Sequence, residues 1–253
     1  MSFSQTLFLG AISGFTILLG MPLARLRAVS KEHLSFLNAL AIGVLFFLFV
    51  DVMEHAIGPV EEAIEQQGHD LGVLLFVLIG GFTIGLMALV YYGRHYLRKD
   101  EGMSQTQLAL LIAIGIGIHN FSEGLAIGSS AVQGELKLAL LLIMGFGLHN
   151  ITEAFGIAAP LAGEKKVSWG FLLLLGLIGG GPNFLGTLIG YSYSSSVLSV
   201  LFLSLGAGAI IYVIGELLAA GRKLQAHAWA GWGLALGFFA GLLTDFMLVY
   251  AGA

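Results

Sequence analysis

Two short segments of the chain, "HNFSE" from His119 and "HNITE" from His149, repeat the same polar pattern. In each, glutamate follows histidine by four residues, so the two side chains share one helix face about 6 Å apart along the axis. His119, Glu123, His149 and Glu153 together supply two imidazoles and two carboxylates, enough for a closed shell around Zn²⁺ or a similar ion. The two carboxylates would also neutralise the divalent charge in a low-dielectric site.

An asparagine directly follows each histidine. Asn120 and Asn150 point about 100° around the helix from their neighbours, so they border the ligand face rather than share it. A single His or Asn in an apolar helix usually hydrogen-bonds to another helix. The duplicated pattern instead favours a metal, because two buried carboxylates would otherwise have no cation.

The composition is that of a membrane protein. The 253 residues are 57% hydrophobic and 10% charged, and the mean hydropathy is +0.93. The absence of cysteine excludes disulfides and thiolate metal sites, so a bound metal must have N or O ligands. A net charge of -4 without a basic face argues against nucleic acid as a partner, which leaves the lipid bilayer as the expected surroundings.

Apolar runs of about 20 residues predict an all-α integral membrane protein with eight transmembrane helices in one domain, residues 1–253. The predicted spans are 5–24, 34–55, 71–95, 106–129, 136–161, 168–191, 195–220 and 228–250. Glycines cluster within these spans, which predicts close helix packing. Pro160 and Pro182 fall inside spans 5 and 6, where a proline tends to kink a helix.

Basic residues set the expected orientation, because Lys and Arg are retained on the cytoplasmic side. Ten of the 11 Lys and Arg lie at alternate connections, and Lys137 is the exception. The ten are Arg25, Arg27, Lys31, Arg94, Arg98, Lys99, Lys165, Lys166, Arg222 and Lys223. With eight spans, both termini are expected outside the cytoplasm, together with the acidic residues Glu61, Glu62, Glu65 and Asp70.

Consecutive spans cross the bilayer in opposite directions, yet spans 4 and 5 both carry their histidine near the middle. The two copies of the motif are therefore related by an approximate two-fold axis in the membrane plane. Inverted symmetry with polar groups at the midplane is typical of transporters, because such a site can be opened to either side.

Six further polar residues lie within the predicted spans. They are Asp51, Glu54, His55, Asn183, Glu216 and Asp245. Each ionisable one needs a partner, a cavity or a function. Asp51 and Glu54 are close enough to the outer end of span 2 to snorkel to water, and an ion pair with Arg222 or Lys223 is the simpler role for Glu216. For Asp245, towards the outer end of span 8, the sequence leaves open whether the role is structural or functional.

The segments "HNFSEGLAIG" and "HNITEAFGIAAP" resemble the paired motifs of the ZIP (Zrt-/Irt-like) family of divalent metal transporters. The chain is similar to the bacterial, GufA-like branch over its whole length. This resemblance implies an inverted 3+2+3 repeat, in which spans 1–3 and 6–8 surround a central pair of spans 4 and 5. It also implies a bacterial-type inner or plasma membrane.

The resemblance also implies a ligand set. His119, Glu123, His149 and Glu153 would be the primary ligands, while Asn120 and Asn150 would complete the site or bridge to a second one. Family members carry a glutamate in span 6 in an "EPLGA"-like step. Here the matching stretch is "NFLGT", so Asn183 takes that position, and the loss of a carboxylate disfavours a second metal.

Span 2 also departs from the family pattern. Its "DVMEH" segment places Asp51 where many members have histidine and Glu54 at the glutamate position, with His55 beside them. These residues face outward in the expected topology and predict an entrance that attracts cations. Glu216, near the inner end of span 7, is a candidate for the exit.

The expected function is transport of Zn²⁺ into the cytoplasm, with Fe²⁺, Mn²⁺ and Cd²⁺ as further candidate ions. One alternative is a membrane metalloenzyme, although di-iron carboxylate sites use Glu-x-x-His rather than His before Glu at i, i+4. A channel-like or structural protein with polar packing residues is the other. The sequence leaves the oligomeric state open, a homodimer included.

Overall fold

The structure, a computed structural model, describes residues 2–26, 30–97, 103–132, 136–164, 167–193 and 195–251. Every element within these ranges is helical. The long helices are α1 (Phe3–Arg25), α2 (Lys31–Glu65), α3 (Leu71–Tyr92), α4 (Gln105–Val132), α5 (Leu136–Ala158), α6 (Trp169–Ser192), α7 (Ser196–Arg222) and α8 (His227–Ala251). Of the basic residues used to predict orientation, Arg27, Arg98, Lys99, Lys165 and Lys166 lie outside the described residues.

Seven helices in the described part of the chain are long and apolar enough to cross a membrane. They coincide with predicted spans 1 to 7. The predicted span 228–250 coincides with α8, which is 25 residues long but is not among the seven. The chain is thus a multi-pass helical membrane protein, and the count of eight spans stays a prediction.

Helix α2 continues to Glu65, ten residues beyond the predicted end of span 2 at residue 55. The acidic residues Glu61, Glu62 and Glu65 therefore belong to the helix, and the connection to α3 is confined to residues 66–70. Tertiary packing explains the extension, because Val60 is buried against Leu74 and Val200. This contact holds the helix together past Pro59, which removes only one backbone donor.

The two prolines behave differently. Pro160 lies in the 3₁₀ turn Ala159–Leu161 that ends α5, rather than inside the α-helix as predicted. Pro182 lies within α6 and has no N–H to donate to the carbonyl of Ile178. The adjacent carbonyl, that of Gly179, accepts a hydrogen bond from Asn120 of α4. The backbone of α6 thus forms a hydrogen bond with a polar side chain of α4 inside the bundle.

Glycines bring α4 and α6 into backbone contact. A Cβ atom on Gly124 would collide with the carbonyl oxygen of Asn183, and one on Gly186 would collide with that of Phe121. Small residues at such positions let transmembrane helices approach closely. This close approach places Asn183 beside the polar residues of α4.

Helix α4 lies at the centre of the bundle. It packs against α1, α5, α6 and α7, and 72% of its most apolar 18-residue window is buried, against 22% for α3. Helix α2 packs against α8, and α3 packs against α7. Polar residues in the middle of α4 are therefore shielded from lipid by surrounding helices.

Candidate metal centre

His119 and Glu123 of α4 meet His149 and Glu153 of α5 in the interior of the bundle. One ligand atom from each of the four residues lies within 4.8 Å of the others, and all four residues are buried. The i, i+4 spacing places His and Glu on one face of each helix, and packing of α4 against α5 turns these faces towards each other.

Glu153 lies between the two imidazoles. Its Oε1 atom is 3.8 Å from Nε2 of His119 and 3.6 Å from Nε2 of His149. The Oε1 atom of Glu123 is 3.3 Å from Nε2 of His119. None of these three pairs is hydrogen-bonded, because neither Nε2 atom has a hydrogen-bond partner among the described residues, and the atoms surround a common point.

Several of these ligand atoms have no hydrogen-bond partner among the described residues. They are Nε2 of His119, Nε2 of His149 and Oε1 of Glu153, and the other ring nitrogen of His119, Nδ1, also has no partner there. Most buried polar atoms in proteins do have a partner. Buried nitrogen and oxygen atoms that converge without hydrogen bonds to one another suit a cation, and this donor set is one that Zn²⁺ accepts.

Asn120 connects the two motifs. Its Nδ2 group lies 2.6 Å from Oδ1 of Asn150, 3.0 Å from Oε2 of Glu153 and 3.1 Å from the carbonyl oxygen of Gly179. Two N–H bonds thus serve three acceptors from α5 and α6. The contact to Oε2 orients Glu153, so that its other oxygen faces the imidazoles.

Asn150 connects the centre to α1. Its Nδ2 group donates to the carbonyl oxygens of Phe146, at 2.7 Å, and Ser13, at 3.2 Å. Its Oδ1 atom accepts from Asn120. Both ends of the Asn150 amide are therefore hydrogen-bonded within the protein, whereas Oδ1 of Asn120 has no partner among the described residues.

Asn183 approaches the centre from α6. Its Nδ2 group donates to Oε2 of Glu123 at 3.3 Å, and its Oδ1 atom is buried without a partner in the described part of the chain. The structure thus brings Asn183 beside the four-residue group. An amide here adds an oxygen to the centre but no negative charge.

The motif contains a further polar position that the sequence reasoning missed. Ser122 donates to the carbonyl oxygen of His119 at 2.6 Å, and Thr152 donates to that of His149 at 2.7 Å. A hydroxyl at the same place in both copies was the available signal. These bonds occupy the hydroxyls locally, so neither proton points to the centre.

The predicted entrance residues lie outside the four-residue group. Asp51 is half-buried and lies 3.5 Å from the exposed His55, and Glu54 is also exposed. Asp51 nevertheless interacts electrostatically with His119 and Glu153 in the centre. Asp245 of α8 also interacts with Asp51. A partly exposed acidic residue therefore lies within electrostatic range of the buried site.

Glu216, the predicted exit residue, is partly buried near the end of α7. It is not part of the His and Glu group. The structure thus separates the twelve predicted site residues into the central four, three adjoining asparagines, and five residues outside this centre.

Comparison with known proteins shows the family to which the chain belongs, independently of the geometry of the centre. No family model matches the chain. The chain is 34% identical over 201 residues to the zinc transporter GufA of Myxococcus xanthus, which covers 75% of this chain and 78% of the relative. It is 31% identical over 263 residues to the zinc transporter ZupT of Chlorobium chlorochromatii, covering 93% of each. At this identity and coverage, the chain belongs to the ZIP family of divalent metal transporters.

Proposed function

We propose that this protein carries Zn²⁺ across a membrane into the cytoplasm, with His119, Glu123, His149 and Glu153 as the ligands. The observation that carries the proposal is the convergence of these four buried side chains within 4.8 Å, with ring nitrogens and a carboxylate oxygen that have no partner among the described residues. Both relatives are named zinc transporters. Zinc uptake by vesicles that contain the purified protein, above that of protein-free vesicles, tests the activity.

Zinc suits this centre for reasons of geometry and charge. Two imidazole nitrogens and two carboxylate oxygens supply the four N or O ligands of a tetrahedral zinc site, and the two carboxylates match its charge. Fe²⁺, Mn²⁺ and Cd²⁺ accept some of the same ligands, so they are candidate competitors. A metalloenzyme is disfavoured because the chain belongs to a transporter family.

The ligand set favours one metal ion per chain. Asn183 adds no charge, and the amide of Asn150 is engaged with Asn120, Ser13 and Phe146. A second divalent ion beside the first would have no negative charge near it beyond the shared carboxylates of Glu123 and Glu153. Repulsion between the two ions would then be poorly compensated.

Replacing Asn183 by glutamate should therefore raise the metal stoichiometry. In equilibrium dialysis, wild type is expected to bind about one zinc per chain and Asn183→Glu about two, because the new carboxylate would supply the missing negative charge. Asn183→Gln is the control, since it lengthens the side chain without adding charge. An unchanged stoichiometry in Asn183→Glu would refute this account of residue 183.

The helix contacts support an inverted 3+2+3 repeat within one transport unit, residues 1–253. An inverted repeat would make α1 equivalent to α6, α2 to α7, α3 to α8, and α4 to α5. With this pairing, the contact between α4 and α6 corresponds to the contact between α5 and α1. Likewise, the contact between α2 and α8 corresponds to that between α7 and α3, and the contact between α4 and α7 corresponds to that between α5 and α2. In this arrangement α4 and α5 hold the metal, and movement against the outer helices opens the site alternately to each side.

The alternating basic connections support a topology with both termini outside the cytoplasm. In that topology Asp51, Glu54, His55 and Asp245 lie on the outer side of the metal centre. Their acidic groups would concentrate cations at the entrance, and Glu216 would lie near the inner end of α7. Metal would thus enter past α2 and α8 and leave at the cytoplasmic side.

Neutralising the entrance should slow uptake at low salt. We expect Asp51→Asn to reduce the initial rate of zinc uptake several-fold at low ionic strength, because electrostatic attraction raises capture rates by about 10-fold or more. The difference should shrink at about 1 M salt, where the screening length is about 3 Å. Glu32→Gln, at the N-terminal end of α2, should leave the rate unchanged. A salt-independent defect would contradict electrostatic capture.

A further inference from the structure

The two copies of the motif hold their histidines differently. Nδ1 of His149 lies 3.5 Å from Oγ1 of Thr244 in α8. The imidazole also contacts the ring of Phe47, with centroids 6.2 Å apart. In contrast, neither ring nitrogen of His119 has a hydrogen-bond partner among the described residues. The metal-binding histidine of α5 is thus fixed from outside the motif, by α8.

Thr244 has one hydroxyl proton, and this decides which group donates in the contact between Thr244 and His149. The hydroxyl of Thr244 lies 2.6 Å from the carbonyl oxygen of Gly241, which is an acceptor only. The hydroxyl proton is therefore directed to Gly241, and Oγ1 can only accept from His149. A hydrogen bond between these two groups therefore requires the hydrogen to be on Nδ1 of His149.

This assignment leaves Nε2 of neutral His149 with a free lone pair. Nε2 is buried without a partner in the described part of the chain and is 3.6 Å from Oε1 of Glu153, which also has none. A lone pair and a carboxylate oxygen that face each other at this distance are suited to share a cation. The opposite tautomer would direct an N–H into the position of the metal.

The position of Thr244 is itself set by helix packing. A Cβ atom on Gly241 would collide with the ring of Phe47, so α8 approaches α2 closely at this level. Phe47 in turn contacts His149. The acceptor of the Thr244 proton and the ring beside the imidazole are therefore held against each other.

We propose that Thr244 is a positioning residue, which holds His149 in the Nδ1–H tautomer and thereby keeps Nε2 as the metal-binding atom. The role in metal binding rests on the proposed function. Outer partners of this kind fix the tautomer and the ring orientation of metal-binding histidines, and their loss typically weakens metal binding by about 10–100-fold.

The test compares Thr244→Val, which removes the acceptor at nearly constant shape, with Thr244→Ser, which restores it. The two readouts are the ¹⁵N NMR shifts of His149 in the metal-free protein and the zinc Kd from competition with a chelator. Thr83→Val is the matched control, because Thr83 donates to its own helix at 2.7 Å and is exposed. Thermal unfolding of each variant is measured first, and affinities are compared only among variants that unfold at the same temperature as wild type.

Wild type and Thr244→Ser are expected to show His149 protonated at Nδ1. Thr244→Val should shift the tautomer towards Nε2–H and raise the zinc Kd by about 10-fold or more. The proposal is overturned if Thr244→Val keeps the wild-type tautomer and affinity, or if Thr244→Ser loses as much affinity as Thr244→Val. Failure of wild type to bind zinc would instead refute the proposed function, while the metal-free spectra would still decide the role of Thr244.

Discussion

Replacing Glu153 by glutamine is expected to abolish zinc transport and to weaken zinc binding by more than about 100-fold. Glu153 is fully buried, and its Oε1 atom lies between the two imidazoles. Loss of a residue that merely supports a metal ligand costs about 10–100-fold, so loss of a charged ligand should cost more. Glutamine keeps nearly the same shape and can still accept the hydrogen bond from Asn120.

This prediction is checked by zinc titration of the purified variant beside Glu65→Gln. Glu65 is an exposed residue at the end of α2, so the control removes the same charge far from the centre. Thermal unfolding of both variants should resemble that of wild type, because no hydrogen bond to the backbone is lost. Wild-type affinity in Glu153→Gln would exclude Glu153 as a ligand.

Replacing Gly186 by alanine is expected to destabilise the bundle by about 1–3 kcal/mol, the usual cost of overpacking a well-packed core. A Cβ atom at 186 would collide with the carbonyl oxygen of Phe121, a backbone atom that cannot rotate away. Helices α4 and α6 must then separate. Since Asn183 of α6 donates to Glu123 of α4, the zinc affinity should fall together with the stability.

Gly181→Ala is the matched control on the same helix. A Cβ atom at 181 has no neighbour within 4 Å, and alanine is a better helix former than glycine by about 0.5–1 kcal/mol. This variant should unfold at or slightly above the wild-type temperature in detergent. Equal stability of Gly186→Ala and Gly181→Ala would contradict the close contact between α4 and α6.

The sequence predicted the helical, membrane-spanning character of the chain and the shared helix faces of the motif. Both depend on local patterns, namely apolar runs of spanning length and the i, i+4 spacing of His and Glu. Equal depth of the histidines in consecutive spans also suggested that the copies meet. In the structure the four side chains do lie together, while their role as ligands stays a proposal.

The sequence did not predict contacts that depend on packing between distant helices. Thr244 is 95 residues from His149, and no local pattern distinguishes it from other hydroxyl residues. The engagement of Asn150 with Ser13 depends likewise on how α1 meets α5. The extension of α2 to Glu65 was missed because the apolar run ends near residue 55, whereas burial of Val60 against other helices keeps the helix intact beyond it.

Zinc influx into sealed vesicles that contain the purified protein tests the central claim most directly. Uptake should be measured with zinc outside, at matched and unmatched pH, for wild type, Glu153→Gln, Glu65→Gln and protein-free vesicles. We expect saturable uptake by wild type and Glu65→Gln, and uptake by Glu153→Gln at the level of protein-free vesicles. If wild-type vesicles take up no more zinc than protein-free vesicles under every gradient, zinc transport by this protein is refuted.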